Sequence, residues 1–312
     1  MKKTQSWMLY AGLLVLFWGV WGAFSSLPIT LYGYPDEMVY VIWAVVMIIP
    51  AVFTLRGQTF DRRPRAAVYG LLIGLTGAGG QLLLFNALST GPAYLIFPII
   101  SISPAITVIM AVILLRERLN AIAVVGLVAA LAAIVLFSVS SGSAEGASGP
   151  WLIIAILVSI AWGVQAFFMR KAATIGVNDA TTFSWMAISG LILTPFAIIA
   201  MGGGLPLDAP WQAPVLTAGT QLLNAVGALF LVMALSRGKA SVVAPTTNAL
   251  APVLTILVSL VVYQTLPSIF GTIAIVLALI GSTLMVYSDE RRGEAVPPAL
   301  RDGTEAREAG VR

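Results

Sequence analysis

The sequence predicts an all-α integral membrane protein whose ten transmembrane helices form two inverted five-helix repeats. Three observations carry this. Ten stretches are continuously apolar for about 20 residues, the length one bilayer crossing needs. With ten crossings, every Lys and Arg falls on one side. A series of short motifs in the first half then recurs in the second. Composition agrees: of 312 residues, 59% are hydrophobic and 10% charged. Mean hydropathy is +0.97, which excludes both a soluble globular chain and a disordered one. The chain has no Cys and no His. Disulfides, thiolate or imidazole metal sites and Cys- or His-based catalysis are therefore excluded.

The apolar segments run over about 7–31, 37–55, 66–88, 92–115, 120–138, 151–170, 180–200, 213–235, 240–263 and 267–287. The first follows Lys2 and Lys3. It is longer than the apolar core of a secretory signal and reads as a retained membrane helix. Gly33-Tyr34-Pro35-Asp36-Glu37 separates the first and second, and the basic stretch 56–65 the second and third. Asn178-Asp179 offers a cap to the seventh, and Gly202-Gly203-Gly204 closes it. Helices are expected because lipid leaves no partner for open backbone groups, and barrel strands would alternate over about ten residues.

With the N-terminus in the cytoplasm, the inner segments hold all 17 Lys and Arg, and the outer loops hold only Asp36, Glu37, Glu145 and Asp208. So one-sided a distribution places both termini inside by the positive-inside rule, and a net charge of +4 then needs no nucleic-acid partner. Residues 1–143 form the first repeat, 144–149 an outer linker and 150–288 the second repeat. Residues 289–312 form a disordered cytoplasmic tail.

The repeat is legible in ordered matches. Trp18-Gly19-Val20 matches Trp162-Gly163-Val164. Ala87-Leu88-Ser89-x-Gly91-x-Ala93-x4-Pro98 matches Ala234-Leu235-Ser236-x-Gly238-x-Ala240-x4-Pro245, and Pro104 matches Pro252 with a one-residue slip. Five helices per half is odd, so the second half lies upside down. Arg116-Glu117-Arg118 is then cytoplasmic, and its equivalent Tyr263-Gln264-Thr265 lies outside without a basic residue. Inverted halves can open a central site to each side in turn, which favours a transporter.

These features resemble the drug/metabolite transporter superfamily, and within it the EamA-type ten-helix transporters, over about residues 7–288. The resemblance rests on the Trp-Gly of helices one and six, the Ser-x-Gly-x-Ala turns entering helices four and nine, the proline pairs, and the Arg-Glu-Arg-Leu ending helix four. It implies a central cavity lined chiefly by helices one, three, four, six, eight and nine. It also implies movement of small organic metabolites, with export of amino acids or related compounds. Small multidrug-resistance relatives carry a membrane-embedded Glu in their first helix, and this first helix has none.

No Asp, Glu, Lys or Arg lies deep in a segment, so a neutral or zwitterionic solute fits better than a strongly charged one. Trp18 and Trp21 share a face of helix one, as Trp162 and Gln165 do in helix six; each reads as helix packing or as a cavity wall. Gly70, Gly74 and Gly77 read as close-contact positions in helix three, with Gln81 a cavity hydrogen-bonder. Gln221 and Asn224 in helix eight bond between helices or to substrate. Ser101, between Pro98 and Pro104, and Asn248, between Pro245 and Pro252, flank proline kinks beside the cavity. Glu117 reads as a cytoplasmic end-cap, with a gating ion pair as the other reading.

The expected function is alternating-access secondary transport, with sugar or nucleoside uptake, or a non-transporting receptor or assembly subunit, as alternatives. No enzyme motif, P-loop, cofactor or metal site is expected. The expected partners are a small-molecule substrate and the lipid bilayer, without nucleic acid, in a monomer or homodimer. The expected location is the bacterial inner membrane.

Overall fold

A computed structural model describes residues 3–90, 96, 99–100, 102–139, 150–263 and 268–294. The regular structure among the described residues is helical, with no strand. The helices are α1 (Lys3–Phe24), α2 (Leu27–Tyr32), α3 (Asp36–Val46), α4 (Ile48–Leu55), α5 (Pro64–Thr90), α6 (Ser103–Leu114), α7 (Ala121–Val139), α8 (Pro150–Thr174), α9 (Asp179–Ala200), α10 (Gln212–Arg237), α11 (Ala240–Tyr263) and α12 (Ile269–Glu294). Among the described residues, eight spans are long and apolar enough to cross a membrane. Ser103–Leu114 and Ala121–Leu136 are shorter apolar helices within the fourth and fifth segments.

Local chemistry sets the breaks. The first segment divides at Ser25-Ser26, and Pro28 then opens α2, where a missing N–H costs nothing. Gly33 closes α2 at φ 60. The second segment divides at Met47, because Pro50 cannot donate to the Val46 carbonyl and its ring crowds it. Gly176, at φ 79, ends α8 in a Schellman turn. Its N–H reaches Ala173 O at 3.1 Å, and Val177 N–H reaches Ala172 O at 3.0 Å. Asn178 then caps α9, its side chain accepting from Thr181 N–H at 2.8 Å. α12 continues to Glu294, past the expected end of the last segment. The linker 144–149 and residues 295–312 lie outside the described residues.

Only 22% to 50% of an 18-residue apolar stretch of each span is buried inside the protein. Val261 (78% exposed) and Ile269 (72%) are among many large apolar side chains on the outside, as expected where lipid supplies the remaining contacts.

Helix pairing follows a pattern. α1 packs on α10 and α11, and α8 packs on α5 and α6. α3 packs on α10, and α9 on α5. The pairs α7–α12, α6–α11 and α3–α9 also pack. Exchange the halves, so that α1 takes the place of α8, α3 of α9, α5 of α10, α6 of α11 and α7 of α12. These named pairs then map onto one another, whereas α11–α12, α7–α11 and α8–α10 have no counterpart of similar extent among the described residues.

Candidate functional site

The tryptophan-glycine motifs meet helices of the opposite half. A Cβ built on Gly227 would lie 2.2 Å from the Trp18 ring, and one on Gly80 would lie 2.6 Å from the Trp162 ring. Gly80 and Gly227 are equivalent by the spacing that relates Ala87 to Ala234. Trp18 Nε1 donates to Asn224 O at 3.1 Å, and Trp162 Nε1 donates to Gly77 O at 3.3 Å. Those acceptors are equivalent by the same spacing. A second pair repeats at the next residue of each motif, against α11 and α6. Thr107 Oγ1 donates to Gly163 O at 3.0 Å, and Thr255 Oγ1 donates to Gly19 O, also at 3.0 Å. A Cβ on Gly19 would meet Leu254 at 2.6 Å, and one on Gly163 would meet Ile106 at 2.7 Å. Absence of a Cβ is what lets each indole reach a backbone carbonyl.

Two of the polar residues singled out in the sequence, Asn224 and Gln165, take part in these contacts. Asn224 Oδ1 accepts from Trp43 Nε1 at 3.0 Å. Gln165 lies against Gly77, whose Cβ would come within 2.0 Å of its amide nitrogen. Gln221 is buried, and Gln81 is half-buried next to Gly80. Asn248 turns back on its own helix, donating to Ala244 O at 2.8 Å. Trp21 is half-buried, and its indole N–H is buried without a hydrogen-bond partner. Trp18, Trp43 and Asn224 are thus joined by hydrogen bonds. Trp162 and Gln165 gather on the glycines of α5, and Asn248 joins neither group. Gly70 and Gly74 carry α9, through Trp185 and Ser189. Each hydrogen bond named in these two groups runs between neutral atoms.

Pro245 and Pro252 lie within α11. Pro104 falls in the first turn of α6, so α6 starts there. Pro98 and Ser101 lie outside the described residues.

Charged residues gather at the end of the bundle that carries the basic loops. Asp179 Oδ2 pairs with Arg237 Nη1 at 2.7 Å. Arg237 also donates to Met233 O at 2.8 Å, and its guanidinium carbon lies 4.6 Å from the centroid of the Tyr10 ring. The loop before α5 is fastened to the start of α9. Asn178 Nδ2 donates to Thr59 O at 2.8 Å, Ala180 N–H to Gln58 Oε1 at 3.3 Å, and Asp61 N–H to Thr181 Oγ1 at 2.7 Å. Arg63 forks onto Asp61 and donates to Gly176 O at 3.0 Å. The Arg63 guanidinium pulls the Asp61 carboxyl down to about 2. Glu117 accepts from Ala240 and Ser241 backbone N–H at 3.2 and 3.0 Å. It is an end-cap, but the helix it caps is α11, in the other half. It is also ion-paired: Arg170 Nε stands 3.5 Å away.

A cavity of about 620 Å³ opens among these groups, lined by Gly57, Gln58, Thr59, Asn178, Asp179, Ser236 and Arg237. None of the tryptophans or amides expected to face substrate lines it. Sequence reasoning missed Trp43 and the Asp179–Arg237 pair. Tyr40 and Trp43, three residues apart on one helical face, were a usable signal, as was an Arg in the last turn of α10 beside the Ser-x-Gly-x-Ala turn.

A crystal structure of another protein superposes with a TM-score of 0.72 over 90% of this chain and 97% of that one, at 20% identity, and so shares the fold. An uncharacterised protein of Methanocaldococcus jannaschii is 36% identical over 73 residues, which are 23% of this chain. The chain spans about half the length of that curated relative, 53%. The model of the EamA-like transporter family matches twice, over residues 5–139 and 149–287. The chain is therefore a multi-pass membrane protein that belongs to the EamA-like transporter family.

Proposed function

We propose that this chain is an alternating-access secondary transporter of a small neutral or zwitterionic organic solute, exporting amino acids or related compounds. In this reading ten helices form two inverted five-helix repeats in the bacterial cytoplasmic membrane, both termini face the cytoplasm, and the unit is a monomer or homodimer. The observation that carries it is the doubled contact of Trp18 on Gly227 and Trp162 on Gly80. Each indole donates to a carbonyl of the opposite half. Two interfaces built alike from interchanged halves can trade conformations, which alternating access requires. The one-sided Lys and Arg support inversion, and the pairs that map onto one another support two similar halves. The neutral partners around Trp18, Trp43 and Asn224 support an uncharged or internally balanced solute, because a fixed net charge would need a counter-ion.

The substrate-facing residues in this reading are Trp18, Trp21, Gln81, Ser101, Trp162, Gln165, Gln221, Asn224 and Asn248. Trp21 gives the sharpest test. A buried donor without a partner costs about 1–3 kcal/mol, and a solute oxygen would satisfy it. Trp21→Phe keeps most of the ring and removes the N–H. In proteoliposomes loaded with radiolabelled L-amino acids, the native protein should release at least one of them down its gradient. Trp21→Phe should slow that release about tenfold, with thermal stability unchanged or raised. Equal rates would remove Trp21 from the site. No release of any amino acid, with release of a labelled sugar or nucleoside, would replace the substrate class.

Orientation has its own test. Single cysteines can be introduced into this cysteine-free chain. Leu207→Cys, at an 88% exposed position, should react with an impermeant maleimide in intact cells. Arg56→Cys should react only after permeabilisation. The reverse pattern would invert the topology.

A further inference from the structure

Glu117 lies where α6 ends, and its side chain is 7% exposed. The chain reaches it through Arg116, at φ 53, the only non-glycine at positive φ among the described residues. That left-handed turn is unfavourable for a residue with a Cβ, and it sets the carboxylate against the first turn of α11. There Glu117 accepts from two backbone N–H groups and from Ser241 Oγ. A carboxylate at a helix N-terminus is favoured by both the free N–H groups and the helix dipole. Arg170, from α8, stands beside it and donates through Nη1 to Leu235 O at 3.4 Å and Ser236 O at 3.2 Å, at the end of α10. Its Nε is buried and makes no hydrogen bond, so the contact with Glu117 is an ion pair only. One carboxylate and one guanidinium therefore tie together α6, α8, α10 and α11 at the basic end.

Among the described residues, the opposite end has no such pair. By the spacing that relates Ala87 to Ala234, Glu117 corresponds to Gln264. By the spacing that relates Trp18 to Trp162, Arg170 corresponds to Ser26. Neither equivalent carries a charge. Two ends that exchange roles during transport would thus be held shut with unequal strength.

We propose that Glu117 is a positioning residue of the transport cycle, a latch that holds the cytoplasmic end closed and biases the resting protein toward the outward-facing state. This rests on the alternating-access reading. Opening inward must separate α6 from α11 and carry the carboxylate away from Ala240, Ser241 and Arg170. A carboxylate bonded in this way holds more strongly than neutral partners do.

The test measures both ends in one protein. Spin labels on cysteines replacing Leu114 and Thr174 report the cytoplasmic end. Labels replacing their repeat equivalents, Val261 and Thr30, report the outer end; all four positions are exposed. Electron–electron double resonance in liposomes then gives both distances. Glu117→Gln keeps an acceptor for Ser241 but loses the charge. It should raise the ratio of long to short inner distances about tenfold and shorten the outer distance in step. Arg170→Gln should act in the same direction and less, because the cap on α11 remains. An unchanged inner distribution in folded Glu117→Gln protein would overturn the latch. If that variant does not fold, Arg170→Gln decides by the same criterion. Inner lengthening without outer shortening would overturn alternating access and leave a latch that merely fastens one end.

Discussion

Gly281→Ala should cost this protein about 3 kcal/mol, the upper end of the range for an overpacked interior. Most of the folded yield in detergent should be lost. A Cβ at position 281 would lie 2.6 Å from Ala130 N and 2.7 Å from Gly126 O, and one at Gly126 would lie 2.7 Å from Gly281 O. These neighbours are backbone atoms of α7 and α12. A side chain can rotate aside, but a backbone moves only with its helix. The seam around them is built from small residues, with Ala123, Ala130, Ala133, Ala274 and Ala278 all buried. In lipid such a seam is held by close packing rather than by exclusion of water, so separation of the helices forfeits most of what joins them. Gly12→Ala is the control, since nothing lies within 4 Å of a Cβ there. Alanine is favoured over glycine in a helix by about 1 kcal/mol, so that variant should be neutral or slightly more stable. The comparison is read as thermal midpoint and monodisperse yield by size exclusion. Equal behaviour of the two variants would end the close-contact account of the α7–α12 seam.

Much of this architecture is legible in the sequence because lipid restricts the choices. Continuous apolar runs mark the helices, whereas the breaks at Ser25-Ser26 and Met47, beside Pro28 and Pro50, interrupt two runs that read as single helices. The tryptophan-glycine motifs also stand out, since a glycine in a membrane helix usually marks close approach. Their partners do not stand out. That Trp18 rests on Gly227 rather than on a glycine of its own half depends on which helices cross, and local pattern does not encode that. Glu117 shows the same limit. A carboxylate at a helix end reads as a cap, and it is one, but the capped N–H groups belong to Ala240 and Ser241 in the other half. Trp43 escapes notice because an indole in an apolar run reads as ordinary hydrophobic surface until Asn224 is found against it.

The Asp179–Arg237 pair should be the most strongly coupled pair of side chains at the basic end. The Asp179 side chain is 7% exposed and that of Arg237 29%. Asp179→Ala leaves the guanidinium with Met233 O, Ser236 Oγ and the face of Tyr10, none of which carries a negative charge. Breaking one side of a buried pair costs about 3–5 kcal/mol. Partial exposure of the arginine places this case at the lower end, near 3 kcal/mol. Arg237→Ala strands the carboxylate instead, but in the first turn of α9, where the helix dipole favours it by roughly 0.3–1 kcal/mol. That variant should therefore be the milder of the two, even though the Tyr10 ring then has no cation over its face. The double variant Asp179→Ala/Arg237→Ala leaves no unpaired charge. It should be about 1–3 kcal/mol more stable than the sum of the single losses predicts. Thermal unfolding of the four proteins in one detergent measures the cycle. Additive losses would mean that the two side chains act independently and that the 2.7 Å contact between them contributes nothing. A non-additive result would show the pair to be one of the fastenings that shape the cavity beside it, whose wall includes both residues together with Gln58, Thr59 and Asn178.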